Sequence, residues 1–270
     1  MYLNIKGEPI SLKTPIVMGI VNCTDDSFYW KSRVNDDRST LQRVEQHLSE
    51  GATFIDLGAV STRPNHTPLD AETEFMQIKK YLKLIMSHFP EARVSIDTFR
   101  ARIAEMAVSE GAVLINDISG GIDPDMFKTM GKLQVPYCLT HYNREKPLEN
   151  EDLIPDMLTF FANQIEKLKA ENVNDIILDP GFGFGKPVDQ SYFLMKHLDL
   201  LHALELPLLV GISRKSMLYH LLDSTPDQML AGTITLNCLA VQKGAHIIRV
   251  HDVKEAVDTI RVTQHYMQIE

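Results

Sequence analysis

Eight short apolar runs alternate along this chain with longer segments that carry apolar residues at three- and four-residue spacings. The runs cover residues 16–21, 53–57, 93–96, 113–115, 135–139, 175–178, 206–212 and 246–250. They lack the polar alternation of a half-exposed strand, which is typical of parallel strands covered on both faces. The longer segments include 41–50, 71–89, 100–110, 156–171 and 233–243, and their spacing predicts amphipathic helices. The sequence thus predicts a repeated βα unit.

Strict βα alternation fits two folds, a doubly wound sheet and a closed (β/α)8 barrel. A dinucleotide-binding sheet needs G-x-G-x-x-G after its first strand, and residues 19–22 read GIVN instead. We therefore predict an α/β fold of the (β/α)8 TIM barrel type. No Pro-, Gly- or Ser-rich linker interrupts the chain, so we expect a single domain over residues 1–270. Residues 2–12 are predicted to form an N-terminal β-hairpin before the first barrel strand.

The charge balance excludes one class of partner. Asp and Glu total 36 against 27 Lys and Arg, a net charge of -9, so bulk charge would not hold a nucleic acid. No window approaches the roughly 18 consecutive apolar residues of a membrane span, and we expect a cytoplasmic protein with no membrane partner. Cys23, Cys138 and Cys238 are far apart in apolar stretches, which indicates reduced, structural thiols.

Polar residues follow every predicted strand. They are Asn22, Asp56, Asp97, Asn116, Asp117, His141, Asp179, Ser213, Arg214, Lys215, Arg249 and His251, with Ser61, Thr62, Arg63 and Pro64 beyond the second strand. In a barrel the carboxyl ends of all strands meet on one face, where catalytic groups gather. A single polar residue there is more often a helix N-cap or a turn former. Eight such ends in succession, with Arg and Lys that cap helices poorly, favour a functional site.

Five of these residues would place positive charge at one mouth of an acidic protein. Arg63, Arg214, Lys215, Arg249 and His251 suit a phosphate or diphosphate held by charge-assisted hydrogen bonds. The alternative interpretation is a set of surface ion pairs.

The acceptors of three further residues are compatible with a slot for a flat heterocycle that bears N–H groups. Asp97, Asn116 and Asp179 follow strands three, four and six. These residue types are compatible with such a ligand but do not by themselves establish it.

Two motifs that resemble known sites fail on inspection. Residues 181–186 resemble a P-loop, but only three residues separate Gly181 from Gly185, and Pro187 stands where Ser or Thr must bind Mg2+. Residues 211–215 lack the closing glycine of a nucleophile elbow. A Walker A site and a serine hydrolase are therefore excluded.

Taken together, the motifs resemble those of the dihydropteroate synthases of folate biosynthesis. The matching segments are MGIVNCTDDSF at 18–28, STRP at 61–64, SIDT at 95–98, INDISG at 115–120, DPGFGFGK at 179–186, GISRKS at 211–216 and RVHDV at 249–253. The resemblance implies a (β/α)8 barrel that joins 4-aminobenzoate to 6-hydroxymethyl-7,8-dihydropterin diphosphate and releases pyrophosphate. It also implies a homodimer and a target of sulfonamides.

The resemblance further implies a role for each site residue. The pterin would be hydrogen-bonded by Asp97, Asn116, Asp179 and Lys215, with Arg249 stacked on its face. The diphosphate would be held by Thr62, Arg63, Arg249 and His251, and Mg2+, the expected cofactor, by Asn22. Aminobenzoate would lie near Phe28, Pro64, Phe184 and Ser213. The residues expected to be catalytic are Asp97, Lys215, Arg249 and His251.

Two other functions remain compatible with the sequence. Corrinoid-dependent methyltetrahydrofolate methyltransferases share the pterin barrel and its Asp and Asn positions. They transfer a methyl group and bind no diphosphate, so residues 61–64 and 213–215 favour the synthase. A non-catalytic pterin-binding protein is the alternative from a different class, should the first loop, which departs from the family at Cys23 and Asp25, fail to close. Release of pyrophosphate on mixing both substrates separates all three.

Overall fold

The computed structural model describes residues 1–23, 37–58, 69–142 and 149–269, and the strands in these ranges form a hairpin and a larger parallel sheet. The antiparallel hairpin consists of β1 (Tyr2–Ile5) and β2 (Glu8–Ser11). The parallel strands are β3 (Ile16–Asn22), β4 (Phe54–Gly58), β5 (Val94–Asp97), β6 (Leu114–Asp117), β7 (Tyr137–Thr140), β8 (Ile176–Asp179), β9 (Leu209–Val210) and β10 (Ile247–Val250). The predicted hairpin and repeated strands are confirmed.

The parallel strands close into a barrel. Their order is β8-β7-β6-β5-β4-β3-β10-β9. The two ends of this row meet where Leu178 forms a parallel bridge with Leu208 and donates its N–H to the Pro207 carbonyl at 2.8 Å. The (β/α)8 barrel prediction is therefore confirmed. Strand β9 is shorter than the predicted 206–212, because Pro207 has no N–H to donate to a ladder.

Helices connect the barrel strands. They are α1 (Asp37–Ser49), α2 (Ala71–His88), α3 (Ala101–Ser109), α4 (Met126–Leu133), α5 (Asn150–Ala170), α6 (Val188–Lys196), α7 (Ser216–Leu221), α8 (Leu230–Gln242) and α9 (Val253–Gln268). Helix α5 begins earlier than the predicted 156, with Pro155 inside it. Among the described helices, none combines the length and the apolar character needed to cross a membrane.

Helix α2 illustrates how local sequence sets these elements. The carboxylate of Asp70 accepts hydrogen bonds from the Thr73 N–H at 2.9 Å and its hydroxyl at 2.6 Å, which satisfies a free donor at the helix start. Ile78, Leu82 and Ile85 recur at helical spacing and are fully buried. The helix therefore presents one apolar face to the barrel.

Each barrel strand has two buried faces that pack against different partners. Outward-facing residues of the strands join the helices in the larger apolar cluster, among them Val21, Leu57, Ile96, Leu139, Leu178 and Val250. Inward-facing residues form a second cluster, made of Met18, Phe54, Leu114, Cys138, Ile177, Leu209 and Ile247. The barrel interior is thus filled by side chains rather than open.

The N-terminal hairpin closes the amino-terminal end of the barrel. Leu3, Ile5 and Leu12 pack into the inward-facing cluster. The Asn4 N–H donates to the Asp175 carboxylate at 2.9 Å, just ahead of β8. Since this end is sealed, the carboxyl ends of the strands form the face that is available for a ligand.

We expect the inward-facing cluster to carry much of the stability. Phe54 is 0% exposed, so Phe54→Ala should lower the free energy of unfolding by about 3 to 5 kcal/mol through the cavity it leaves. Urea denaturation followed by circular dichroism measures this change. Tyr2→Ala is the control, because Tyr2 is 65% exposed and its loss should cost at most about 0.5 kcal/mol. Equal losses for both variants would contradict this description of the core.

Candidate active site

Toward the carboxyl ends of the strands, the inner face of the barrel changes from apolar to polar. Side chains alternate between the two faces of a strand, so the residue two places after an inward apolar residue also points inward. Such pairs are Phe54 and Asp56, Leu114 and Asn116, Cys138 and Thr140, Ile177 and Asp179, and Ile247 and Arg249. The second members form a polar layer above the apolar interior, on the side where the catalytic groups of such barrels gather.

Arg249 links two carboxylates within this layer. Its Nε donates to Asp56 Oδ2 at 2.7 Å, and its Nη2 donates to Asp97 Oδ2 at 3.0 Å. Asp56 also accepts from Ser95 Oγ at 2.6 Å and from Asn116 Nδ2 at 3.0 Å. Asp56 is fully buried, so these three donors replace the water that its charge has lost.

Burial also changes the titration of the carboxylates in the layer. It raises the pKa of Asp97 to about 7; Arg249 opposes the rise, while Asp56 and Asp117 add to it. Burial likewise raises the pKa of Asp179. Burial thus favours the protonated form of both carboxylates, and the neighbouring cations Arg249 and Lys215 oppose it.

Lys215 lies over an aromatic ring at the mouth. Its Nζ is 4.3 Å from the centroid of the Phe184 ring and donates to the Phe182 carbonyl. Burial lowers the pKa of Lys215 to about 8, while the charge of Asp179 raises it. Asp179 in turn accepts the Gly181 N–H at 2.8 Å. The lysine is thus held by the loop that carries Phe182 and Phe184.

Lys186 shapes the loop that carries Phe184. Its ammonium donates to the carbonyls of His141, Gly181 and Phe184 at 2.9, 3.1 and 3.3 Å. Gly181 has φ +70, and a Cβ there would lie 2.1 Å from the His141 carbonyl, so only glycine fits. All three protons of the ammonium are used by these carbonyls. Lys186 therefore anchors this loop through main-chain carbonyls, which agrees with the conclusion that residues 181–186 are not a P-loop.

Ser213 and His251 form a pair at the end of the barrel. Ser213 Oγ lies 2.9 Å from His251 Nδ1 and accepts the main-chain N–H of His251 at 3.3 Å. The direction of the hydrogen bond between Oγ and Nδ1 depends on the tautomer of the ring, because a hydroxyl oxygen can accept two hydrogen bonds. Burial, aided by Arg214 and Arg249, lowers the pKa of His251 well below its ordinary value, so the ring is neutral. A neutral ring carries one N–H donor and one acceptor nitrogen.

The structure brings most of the predicted site residues to one end of the barrel. These are Asp97, Asn116, Asp179, Phe184, Ser213, Lys215, Arg249 and His251. Thr62, Arg63, Pro64 and Phe28 lie outside the described residues. Which ligand atoms any of them contacts stays a prediction.

The predicted anion-binding role of Arg214 needs correction. Its guanidinium forms a bidentate pair with Asp252, with Nη2–Oδ1 and Nε–Oδ2 distances of 2.6 and 3.0 Å, and the residue is 7% exposed. Its backbone is left-handed, with φ 59. The charge of Arg214 is therefore used within the fold, and the alternative interpretation as an ion pair holds for this residue.

Asp56 is a residue to which the sequence analysis assigned no role. It was recognised as a strand-end carboxylate, but its three donors come from Ser95, Asn116 and Arg249, which lie far apart in sequence. The signal that identifies it is its position two residues after the inward-facing Phe54.

Asn22 lies next to the carboxylates of the site. A Cβ added at Gly58 would lie 3.2 Å from Asn22 Oδ1 and 3.5 Å from Asp97 Cβ, so the amide stands beside the carboxylate layer. Mg2+ takes oxygen ligands, often few from the protein together with substrate phosphates, and an amide oxygen is of the type it accepts. That Asn22 holds Mg2+ stays a prediction.

Comparison with known proteins decides the family. Residues 18–251 match a family model described as pterin binding enzyme. The dihydropteroate synthase of Escherichia coli strain K12 is 35% identical over 272 residues, which cover 98% of this chain and 96% of that protein. This chain belongs to the dihydropteroate synthase family.

Solved structures of dihydropteroate synthases agree with that assignment. The Yersinia pestis enzyme, solved with a sulfonamide drug complex, superposes with a TM-score of 0.94 and 37% identity over 100% of both chains. The Coxiella burnetii enzyme in complex with pteroic acid gives a TM-score of 0.93 and 32% identity, again over 100% of both chains. The expected fold and family are confirmed over the whole chain length.

The raised pKa of Asp97 predicts a pH-dependent part of the stability. An unfolded Asp titrates near about 3.9, whereas the folded protein holds this proton up to about 7. Between these values the folded state binds more protons, so Asp97 should make the free energy of unfolding fall as the pH rises. Asp97→Asn should remove this contribution. Urea unfolding of both proteins from about pH 4 to about pH 8 measures it, and parallel profiles would contradict the shift.

Proposed function

We propose that this protein joins 4-aminobenzoate to 6-hydroxymethyl-7,8-dihydropterin diphosphate, forming 7,8-dihydropteroate and releasing pyrophosphate. The observation that carries the proposal is the layer of buried acceptors, Asp97, Asn116 and Asp179, beside the cations Lys215 and Arg249. Membership of the dihydropteroate synthase family supports the same reaction.

The acceptor layer suits the pterin ring. A dihydropterin carries a 2-amino group and a ring N–H on one edge, and Asp97, Asn116 and Asp179 offer oxygens to such donors. Arg249 is held flat between Asp56 and Asp97, where a planar guanidinium can stack on a planar ring. Lys215 donates to the acceptors of the ring.

The same residues assist the chemical step. The bond between the pterin methylene carbon and the diphosphate oxygen breaks first, and its electron pair leaves with the diphosphate. The ring and its methylene become cationic, and the carboxylates of Asp97 and Asp179 stabilise that charge without reorganising. The neutral aniline nitrogen of aminobenzoate then forms the new C–N bond and loses its proton to solvent. An aniline is unprotonated at neutral pH, so no dedicated general base is required.

The leaving diphosphate needs donors at the other side of the mouth. His251, which Ser213 Oγ contacts at Nδ1, would offer an N–H of its ring for this role. Arg63 and Thr62 would add further donors, as the family resemblance implies. Asn22 and the diphosphate oxygens would hold Mg2+, which when bound supplies charge neutralisation to the leaving group.

Aminobenzoate would bind near Phe184, Ser213 and Pro64. The Phe184 ring lies under Lys215, which gives an apolar face beside the pterin site for a second flat ring. Sulfonamides share the shape of aminobenzoate, so we include competition by sulfonamides in the proposal; the Yersinia pestis relative was solved with such a drug complex. The proposal also includes a cytoplasmic location.

Turnover of the two substrates tests the function. We expect pyrophosphate release and dihydropteroate formation that require both substrates and Mg2+. Asp97→Asn should lower kcat/KM by at least about a hundredfold, because it removes a preorganised charge from the transition state.

Asp117→Asn is the matched control for this variant. Asp117 is also buried at a strand end, but it is bound by the Ser119 N–H and the Tyr137 hydroxyl rather than by site residues. Methyl transfer without pyrophosphate release, or pterin binding without turnover, would replace the proposal with one of the two alternatives. Full activity of folded Asp97→Asn would remove Asp97 from the mechanism.

The outer surface of helices α8 and α9 supports a homodimer. Thr263 of α9 donates to Cys238 Sγ of α8 at 3.3 Å, so the two helices pack side by side. Val262 is 71% exposed and Leu239 is also exposed. An apolar surface of this kind on a water-exposed face is typical of a protein interface, and we propose that a second copy covers it.

The dimer is tested by charge substitution on that surface. We expect the unchanged chain to have the mass of two copies in light scattering, and Val262→Glu to shift it to one copy, because a buried unpaired charge is costly. Lys254→Glu, an exposed change elsewhere on α9, is the control and should remain dimeric. A monomeric unchanged chain would rule the dimer out.

A further inference from the structure

Asp56 lies beneath the acceptor layer and out of reach of a ligand. Strand register pairs Asp56 with Ser95 and Gly58 with Asp97, so Asp56 is one inward position deeper than Asp97. Its side chain is fully buried and is occupied by Ser95, Asn116 and Arg249. We propose that Asp56 is a positioning residue that sets the hydrogen-bond pattern of the pterin slot through Asn116 and Arg249. This inference rests on the proposed function, since it explains how that slot selects its ligand.

The first effect of Asp56 is to orient the amide of Asn116. A carboxylate accepts hydrogen bonds and donates none, so the group that faces Asp56 Oδ2 at 3.0 Å must be the NH2 of Asn116. The amide oxygen Oδ1 is then on the other side, where it is buried and has no hydrogen-bond partner among the residues that the structure describes. A buried acceptor without a partner is costly, and a donor from the ligand would satisfy it.

The second effect is to fix the guanidinium plane of Arg249. One edge is held by Asp56 through Nε, and Nη2 reaches Asp97 at 3.0 Å. The carboxylates of Asp56 and Asp97, on two different strands, hold the Arg249 side chain. It is therefore already ordered in the folded protein and loses little conformational entropy when a ligand binds. The Arg249 plane is thus preformed for a flat ring.

Together these effects let the slot distinguish a ring edge that donates hydrogen bonds from one that accepts them. With Asn116 Oδ1 free, Asn116 presents an acceptor next to the carboxylates of Asp97 and Asp179. A ring edge that carries N–H donors is accepted, and an edge that carries lone pairs is rejected because it would face oxygens only. Without Asp56 the amide of Asn116 could rotate and present its NH2 group instead.

The test measures ring binding without turnover. The probe is 6-hydroxymethylpterin, which has no diphosphate, titrated calorimetrically into the full chain. We expect Asp56→Ala to weaken its binding by at least about tenfold, as expected when a buried polar network loses one acceptor. Asp56→Asn should recover most of the affinity, since its amide oxygen can still accept from Asn116 and Arg249 while its NH2 faces the Ser95 hydroxyl. Km for aminobenzoate should stay within about threefold in both variants.

A double-mutant cycle shows whether Asp56 acts through Asn116. If it does, Asp56→Ala should weaken binding much less in an Asn116→Ala background than in the unchanged chain. Asp117→Ala removes another buried strand-end carboxylate and is the control for general loss of stability; it should lower the melting temperature but leave pterin affinity within about threefold.

The outcomes separate the inference from the function. If the unchanged chain binds the pterin and Asp56→Ala, folded by circular dichroism, binds it equally well, the positioning role is overturned and the proposed function stands. Additive losses in the cycle, or no recovery with Asp56→Asn, also overturn it. If the unchanged chain neither binds the pterin nor releases pyrophosphate, the proposed function itself fails.

Discussion

The candidate site depends on the placement of Arg249 between Asp56 and Asp97 inside the barrel. Moving a carboxylate or a guanidinium out of water costs several kcal/mol in order of magnitude, and this cost is offset here by direct pairing and by the donors of Ser95 and Asn116. Arg249 thus compensates the charge of two carboxylates within the polar layer. The same burial raises the pKa of Asp97 to about 7.

Stability and function are separated along the length of each strand. The amino-terminal half of the inner face carries Phe54, Leu114, Ile177 and their neighbours, which pack with the hairpin and exclude water. Two residues after these three, the same strands carry Asp56, Asn116 and Asp179. An apolar floor lowers the local dielectric, which strengthens every polar contact above it. Binding energy at the mouth therefore relies on packing that contacts no ligand.

Two adjacent cations, Arg214 and Lys215, show what the sequence could and could not predict about the site. Lys215 and Arg214 were both predicted to face an anion, and the structure separates them. Lys215 lies over Phe184 near the carboxylates, whereas Arg214 pairs with Asp252, a residue of the last strand-helix connection. The sequence shows a positive charge at a strand end. It does not show which group that charge pairs with, because the partner depends on the tertiary structure. A left-handed backbone is usually signalled by glycine or asparagine, so an arginine with φ 59 at position 214 could not be read from the sequence.

The sequence by itself determined the repeated βα architecture, the hairpin and the positions of the polar strand ends. These features follow from periodicity, which is a local property of the chain, and the family motifs assigned the reaction class to them. Only the tertiary structure decided that Asp56 joins Ser95, Asn116 and Arg249. The reason is physical: the sheet pairs β10 with β3, and β4 lies on the other side of β3. A contact between residues 56 and 249 therefore depends on strand register and depth, which no local pattern contains.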